Sequence, residues 1–206
     1  MADIRLNFIN QSNDRNNSDI VIFQKNVATN FDELAVAWRV IQNCGPGMNH
    51  PFTYPMTMFI SASDSYGNYT QQLAAANGQS FSITKGTSGD VLKLTGTSAR
   101  SNEVELTNQL PMGAIDANIY RDGRLLATKT KVAPGQKAVF EFKPTIWIGV
   151  ASEVQEGEMM NSAILRSINT EISLLGIKSA DIVLTGGGPG ETATAFQFTL
   201  QNVVFA

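Results

Sequence analysis

The amino-acid sequence predicts an all-β protein, an antiparallel β-sandwich of about ten or more strands with at most one short helix. Two observations carry that expectation. Apolar and polar side chains alternate with period two in at least six segments. Between those segments stand glycine, proline, asparagine and aspartate in combinations that favour chain reversal.

The first alternating segment is Ile4-Arg5-Leu6-Asn7-Phe8, which places Ile4, Leu6 and Phe8 on one face. Asn13-Asp14-Arg15-Asn16-Asn17-Ser18-Asp19 follows. Its oxygens have the close spacing of a calcium loop, but the central glycine and distal glutamate of an EF-hand are missing, so residues 14–19 read as a polar turn between the first two strands. A calcium site assembled from several loops stays open. Asn30-Phe31-Asp32-Glu33 has the form of a helix capping box, yet Val36, Trp38, Val40 and Ile41 favour β-structure, and a strand is expected over 35–42.

The alternation returns in Phe81-Ser82-Ile83-Thr84, Leu92-Lys93-Leu94-Thr95 and Val104-Glu105-Leu106-Thr107. In Arg121-Asp122-Gly123-Arg124 the Asp-Gly pair tolerates positive φ at both central positions, so a two-residue type I′ hairpin should pair Tyr120 with Leu125 and Ile119 with Leu126. Ala133-Pro134-Gly135-Gln136 reads as a type II turn, because proline presets φ and glycine accepts a positive φ. A strand then runs to Lys143, Pro144 makes a bend, and Ile146, Ile148 and Val150 continue as another strand. Residues 153–169 gather good helix formers, with Met160, Ile164 and Ile168 four apart, and are open to either a short helix or a strand. In Phe196-Gln197-Phe198-Thr199-Leu200-Gln201 the large apolar residues share one face and the amides and hydroxyl the other.

A chain of 206 residues buries roughly 70% of the surface its unfolded form exposes, so it needs neither disulfide nor metal for a core. No charged or Pro/Ser-rich linker interrupts residues 1–206, which are read as one sandwich domain. Charged residues make up 16% of the chain, well under the roughly 25% usual for soluble domains. Amides and hydroxyls supply the polar surface instead, which suits self-assembling proteins and carbohydrate binders, since neutral groups pair across an interface without desolvating a charge.

With 15 basic and 18 acidic residues and no basic run, the electrostatic term that dominates nucleic-acid affinity is missing, and nucleic acid is excluded as a partner. Cys44 has no second cysteine to pair with, and the N-terminus shows neither a basic region nor an apolar run. Synthesis in the cytoplasm is expected, with leaderless release left open.

His50 is the one histidine, six residues from Cys44 in Cys44-Gly45-Pro46-Gly47-Met48-Asn49-His50-Pro51. Thiol chemistry needs a thiolate stabilised by a base that a third group orients, and the sequence offers no such group, so the segment reads as a loop. Thr185-Gly186-Gly187-Gly188-Pro189-Gly190 lies between two expected strands rather than before a helix, which argues for a hairpin loop over a phosphate nest. Ser82-Ile83-Thr84-Lys85 matches Ser-x-x-Lys but sits on a strand, where the two side chains point to opposite faces. No catalytic residue, metal site or cofactor is therefore assigned.

Phe52 and Tyr54, bracketed by Pro51 and Pro55, and Tyr66 and Tyr69, around Gly67 and Asn68, stand in turn-rich stretches where exposure is expected. With His50 they form the ligand-binding candidate set. The favoured function is a non-enzymatic interaction or self-assembling module that meets a protein partner or its own copy through an uncharged face or strand edge. The alternative is a lipid- or carbohydrate-binding protein, membrane-active or pore-forming, that uses the loop aromatics. Lectins and some membrane-active toxins share this general architecture, which does not by itself imply a function.

Overall fold

The computed structural model describes residues 3–16, 18–28, 35–168 and 170–206. Among them the strands are, in chain order, β1 (Ile4–Asn10), β2 (Asp19–Phe23), β3 (Arg39–Ile41), β4 (Asn49–Tyr54), β5 (Met58–Ser63), β6 (Leu73–Ala75), β7 (Gln79–Gly86) and β8 (Gly89–Thr97). They continue with β9 (Val104–Asn108), β10 (Ile115–Arg121), β11 (Arg124–Val132), β12 (Lys137–Phe140), β13 (Thr145–Ala151), β14 (Thr170–Ser173), β15 (Ile177–Gly187) and β16 (Thr194–Phe205). One helix, α1 (Ser162–Ser167), stands between β13 and β14. The chain is thus all-β, as the alternation requires.

The strands form four four-stranded sheets, and the chain groups into two compact units. The first unit holds Met1–Gln24, Leu34–Met56 and Pro144–Ala206, and the second Lys25–Glu33 and Thr57–Lys143. The first contains the sheets β16-β15-β1-β4 and β14-β13-β2-β3; the second contains β11-β10-β5-β6 and β12-β9-β7-β8. Pairing is antiparallel except that β1 runs parallel to β15 and β7 parallel to β9.

In the first unit β1 buries Ile4, Leu6, Phe8 and Asn10, every second residue. That period continues past the strand's end: Ser12 and Asp14 are buried too. β2 is buried on both faces, because Ile20 and Ile22 turn one way while Val21 and Phe23 pack against Val154, Met160 and Ile168. Of the stretch expected to be helix or strand over 153–169, residues 153–168 are mostly a strap over this sheet. It holds only the six-residue α1, whose N-terminal N–H groups at Ala163 and Ile164 are capped by the Asn161 side chain. The strand expected over 35–42 shrinks to β3 and a bridge at Val36, with Trp38 turned into the core edge-on to Tyr54. The capping box of residues 30–33 lies outside the described residues.

In the second unit the Asp-Gly hairpin forms, with φ of 55° at Asp122 and 70° at Gly123. Tyr120 pairs with Leu125 as expected, but a bulge then sets Ile119 opposite Ala127 instead of Leu126. The Pro134 turn closes with Gln136 N–H donating to Ala133 at 3.0 Å, and Gly135 takes φ +80°. β12 stops at Phe140 rather than Lys143. There the Asn26 side chain takes over the backbone, donating to the Val139 carbonyl and accepting from Glu141 N–H, both at 2.9 Å.

Candidate functional site

The second unit carries a cleft of about 330 Å³ between two turns. Its floor is apolar, formed by Ala62, Ile83 and Ile115. One lip is the loop that follows β5, with Asp64, Asn68 and Tyr69; the other is the β7–β8 hairpin, with Lys85, Gly89 and Asp90.

The first lip is built around a carboxylate. Asp64 Oδ1 accepts the backbone N–H groups of Tyr66 and Asn68, each at 2.9 Å, and Oδ2 accepts the Asn68 side-chain amide at 2.8 Å. This is the self-capped turn that aspartate forms when glycine, here Gly67 at φ +83°, accepts the reversal. The Asn68 amide, helped by the backbone donors, holds the Asp64 carboxyl below the usual carboxylate range. At the loop's root, Ala62 N–H donates to the Thr70 hydroxyl and Thr70 N–H to the Ala62 carbonyl. Beneath it Ser63 Oγ receives the buried Asn118 amide, whose oxygen accepts from Thr128. The tip is therefore fixed from below.

Tyr66 and Tyr69, expected to be exposed, are 89% and 67% accessible. Tyr69 also neighbours Tyr120. Burial pushes the Tyr120 phenol up, its hydrogen bond with Ser61 at 3.1 Å offsets part of that, and the charge of Tyr69 raises it again.

On the second lip, the tight turn 86–89 sets Lys85 directly opposite Asp90. Their side chains pair at 3.0 Å with the ammonium largely exposed. In the sequence Lys85 stands out only within Ser82-Ile83-Thr84-Lys85, and Asp90 belongs to no motif. The signal that finds them is the Gly86–Gly89 reversal between two alternating segments, which forces residues 85 and 90 to face each other.

The other candidates lie in the first unit. His50, Phe52 and Tyr54 alternate onto one face of β4. Phe52 and Tyr54 are 7% and 1% accessible, which corrects the exposure expected of them. Pro51 breaks nothing because β4 is an edge strand, where a missing N–H costs no ladder bond. Phe52 carries the Arg39 guanidinium at 5.1 Å from its ring centre. The Tyr54 hydroxyl accepts from Gln24 at 2.9 Å. Both are core side chains; His50 is half-buried opposite Phe8. Cys44 is buried, and burial pushes its thiol up, away from a thiolate.

A second cleft, of about 380 Å³, lies in the first unit between Ser12–Arg15 positions and the glycine loop at 187–189. Asn10, Ser12 and Asp14 each accept the N–H two residues on, at 2.9, 3.2 and 2.9 Å. Asp14 Oδ2 also accepts Ser18 N–H at 2.8 Å. Both carboxylate oxygens thus serve the turn itself. Among the described residues no group of three or more His, Cys, Asp or Glu side chains is placed to hold a metal ion. The glycine loop runs from β15 into a three-residue 3-10 turn (Gly190–Thr192) and on to β16, so it feeds no α-helix.

Fold and clefts together define an all-β protein built from four four-stranded sheets, with a loop-lined cleft in each of its two units. Within that class the chain belongs to the RhiA family, whose family model matches residues 2–176 and so leaves β15 and β16 beyond the matched span. No curated protein and no solved structure matches the chain.

Proposed function

We propose that this chain is a non-catalytic binding protein that takes a polyhydroxylated, sugar-like ligand in the cleft of its second unit. The observation that supports this reading is the exposed Tyr69 ring lining the same cleft as a fixed set of hydrogen-bonding groups, Asp64, Asn68, Lys85 and Asp90. A pyranose presents an apolar C–H face and a rim of hydroxyls. It asks for one aromatic surface with neighbouring donors and acceptors, and tyrosine supplies the first while amide, carboxylate and ammonium supply the second. The cleft volume falls inside the roughly 300–1,000 Å³ of small-molecule sites. The site is also preorganised, since Asp64 and Ser63 hold the loop before any ligand arrives, which lowers the entropic cost of binding.

The test is a glycan array followed by calorimetry on whichever glycan binds. Tyr69→Ala should weaken binding by roughly tenfold or more, about 1.4 kcal/mol, and Asp90→Asn should weaken it as well. Leu175→Ala, at an exposed side chain of the other unit, serves as the folded-state control. An array without binders, or a bound glycan indifferent to Tyr69→Ala, rejects the reading. Binding to liposomes that disappears with Tyr66→Ala would transfer the site to lipid.

A further inference from the structure

We infer that two copies of this chain pair through the outer edge of β16, joining their β16-β15-β1-β4 sheets into one eight-stranded sheet about a two-fold axis. The inference rests on a contrast among the eight edge strands. An open strand edge is a template for another strand, and proteins that stay monomeric blunt it with charge, proline or shortness. Seven of the eight edges are blunted in those ways. β3 and β6 are three residues long, and β4 carries Pro51. β8 carries Asp90 and Lys93, β11 carries Lys129 and Lys131, β12 carries Lys137, and β14 carries Glu171.

β16 has none of these devices. It is the longest strand, twelve residues, with neither a charged residue nor a proline. Among the described residues it is laddered only to β15, and no residue along it is buried. Its register against β15 shifts at both ends, between Thr185 and Gly187 and between Ile177 and Asp181, where Asn202 takes φ 50° and its amide donates to Asp181 Oδ2 at 2.7 Å. Between those shifts the run from Gln197 to Gln201 keeps a regular register.

Two-fold symmetry makes the run self-complementary. An axis normal to the sheet brings residues of the same parity opposite one another, whatever the register. Phe196, Phe198 and Leu200 then meet one another on the half-buried face, and Gln197, Thr199 and Gln201 meet on the exposed face. Apolar groups pack on apolar groups, amides and hydroxyls pair, and no charge is desolvated. The contact uses the edge once and closes, so it ends at a dimer rather than a fibre.

Light scattering across a dilution series should give twice the mass of one chain, falling toward a single chain on dilution. Amide exchange over 196–201 should slow as concentration rises. Thr199→Lys and Gln197→Lys alter exposed side chains, and in the pair each lysine lies near its own symmetry mate, so either should convert the dimer to monomer with an unchanged far-UV spectrum. Thr95→Lys on β8 should leave the dimer intact. A wild-type monomer at every concentration, a dimer that survives both β16 lysines, or growth beyond two copies overturns the proposal. Should one lysine variant fail to fold, the exchange measurement on the unaltered protein still decides.

Discussion

Asp14 and Ser18 are joined by a 2.8 Å hydrogen bond from the Ser18 N–H to Asp14 Oδ2, and this bond closes the turn that brings β1 into β2. Burial alone would raise the Asp14 carboxyl. The N–H groups of Ser18 and Asn16 and the Ser18 hydroxyl outweigh it, and the group is held below the usual carboxylate range.

A carboxyl whose folded pKa is depressed contributes stability above its unfolded pKa, about 4, and loses it as pH falls through the folded value. Asp14→Asn removes that contribution and replaces one acceptor with a donor facing Ser18. At neutral pH it should destabilise by about 1–3 kcal/mol, and the gap to the unaltered protein should narrow steadily below pH ~4. Urea denaturation at a series of pH values measures both. A gap that stays constant from neutral to acid pH would show that the Asp14 charge is not what holds the turn.

Much of this fold is legible in residues that alternate. Ile4, Leu6 and Phe8 read as inward-facing and are; Phe196, Phe198 and Leu200 read as half-buried and are. Period two is equally present in His50, Phe52 and Tyr54; the flanking prolines suggest an exposed turn, but the alternation rightly places Phe52 and Tyr54 in the core. The parallel partnership of β1 with β15 joins Phe8 to Ile182 across most of the chain. No local pattern encodes such a pairing, because each strand's alternation is satisfied by any partner in register. The grouping into two compact units is not marked in the sequence, for a related reason. Its boundaries at Gln24 and Pro144 carry no linker composition, since Gln24 is itself buried and donates to Tyr54 and to the Thr145 carbonyl.

Glu105 illustrates a polar residue that alternation misplaces. It falls on the polar side of Val104-Glu105-Leu106-Thr107, yet its side chain is only 8% accessible, and Lys137 reaches it from β12 at 2.6 Å. The Ala99 N–H donates to the same oxygen at 3.3 Å. Removing the cation leaves an ionised carboxylate under-compensated in a dry setting, so Lys137→Met should destabilise by about 1–3 kcal/mol. Glu105→Gln in that background should recover part of the loss, because the neutral amide costs less to bury. The double-mutant cycle, read by chemical denaturation, should give a favourable coupling. Additive single losses would mean that the pair contributes nothing beyond its packing.

Gly149 is the position where the strap over β2 depends on a missing side chain. It lies on β13 opposite Val21, and a Cβ built there would come within 2.8 and 2.9 Å of the two γ-carbons of Ile168 and 3.0 Å of its Cα. Ile168 is buried with Val21, Phe23, Val154 and Met160 in the cluster that covers the outer face of the sheet. Gly149→Ala must therefore lift the strap, at a cost of about 1–3 kcal/mol. Ile168→Ala alone should cost about 2–5 kcal/mol through the cavity it opens. Combined, the two changes should cost less than their sum, since the new methyl enters the space that the isoleucine vacates. The contact with the Ile168 backbone stays, so recovery is partial. Strict additivity would show that the strap moves aside freely, and the second face of β2 would then not be held closed by Ile168 at all.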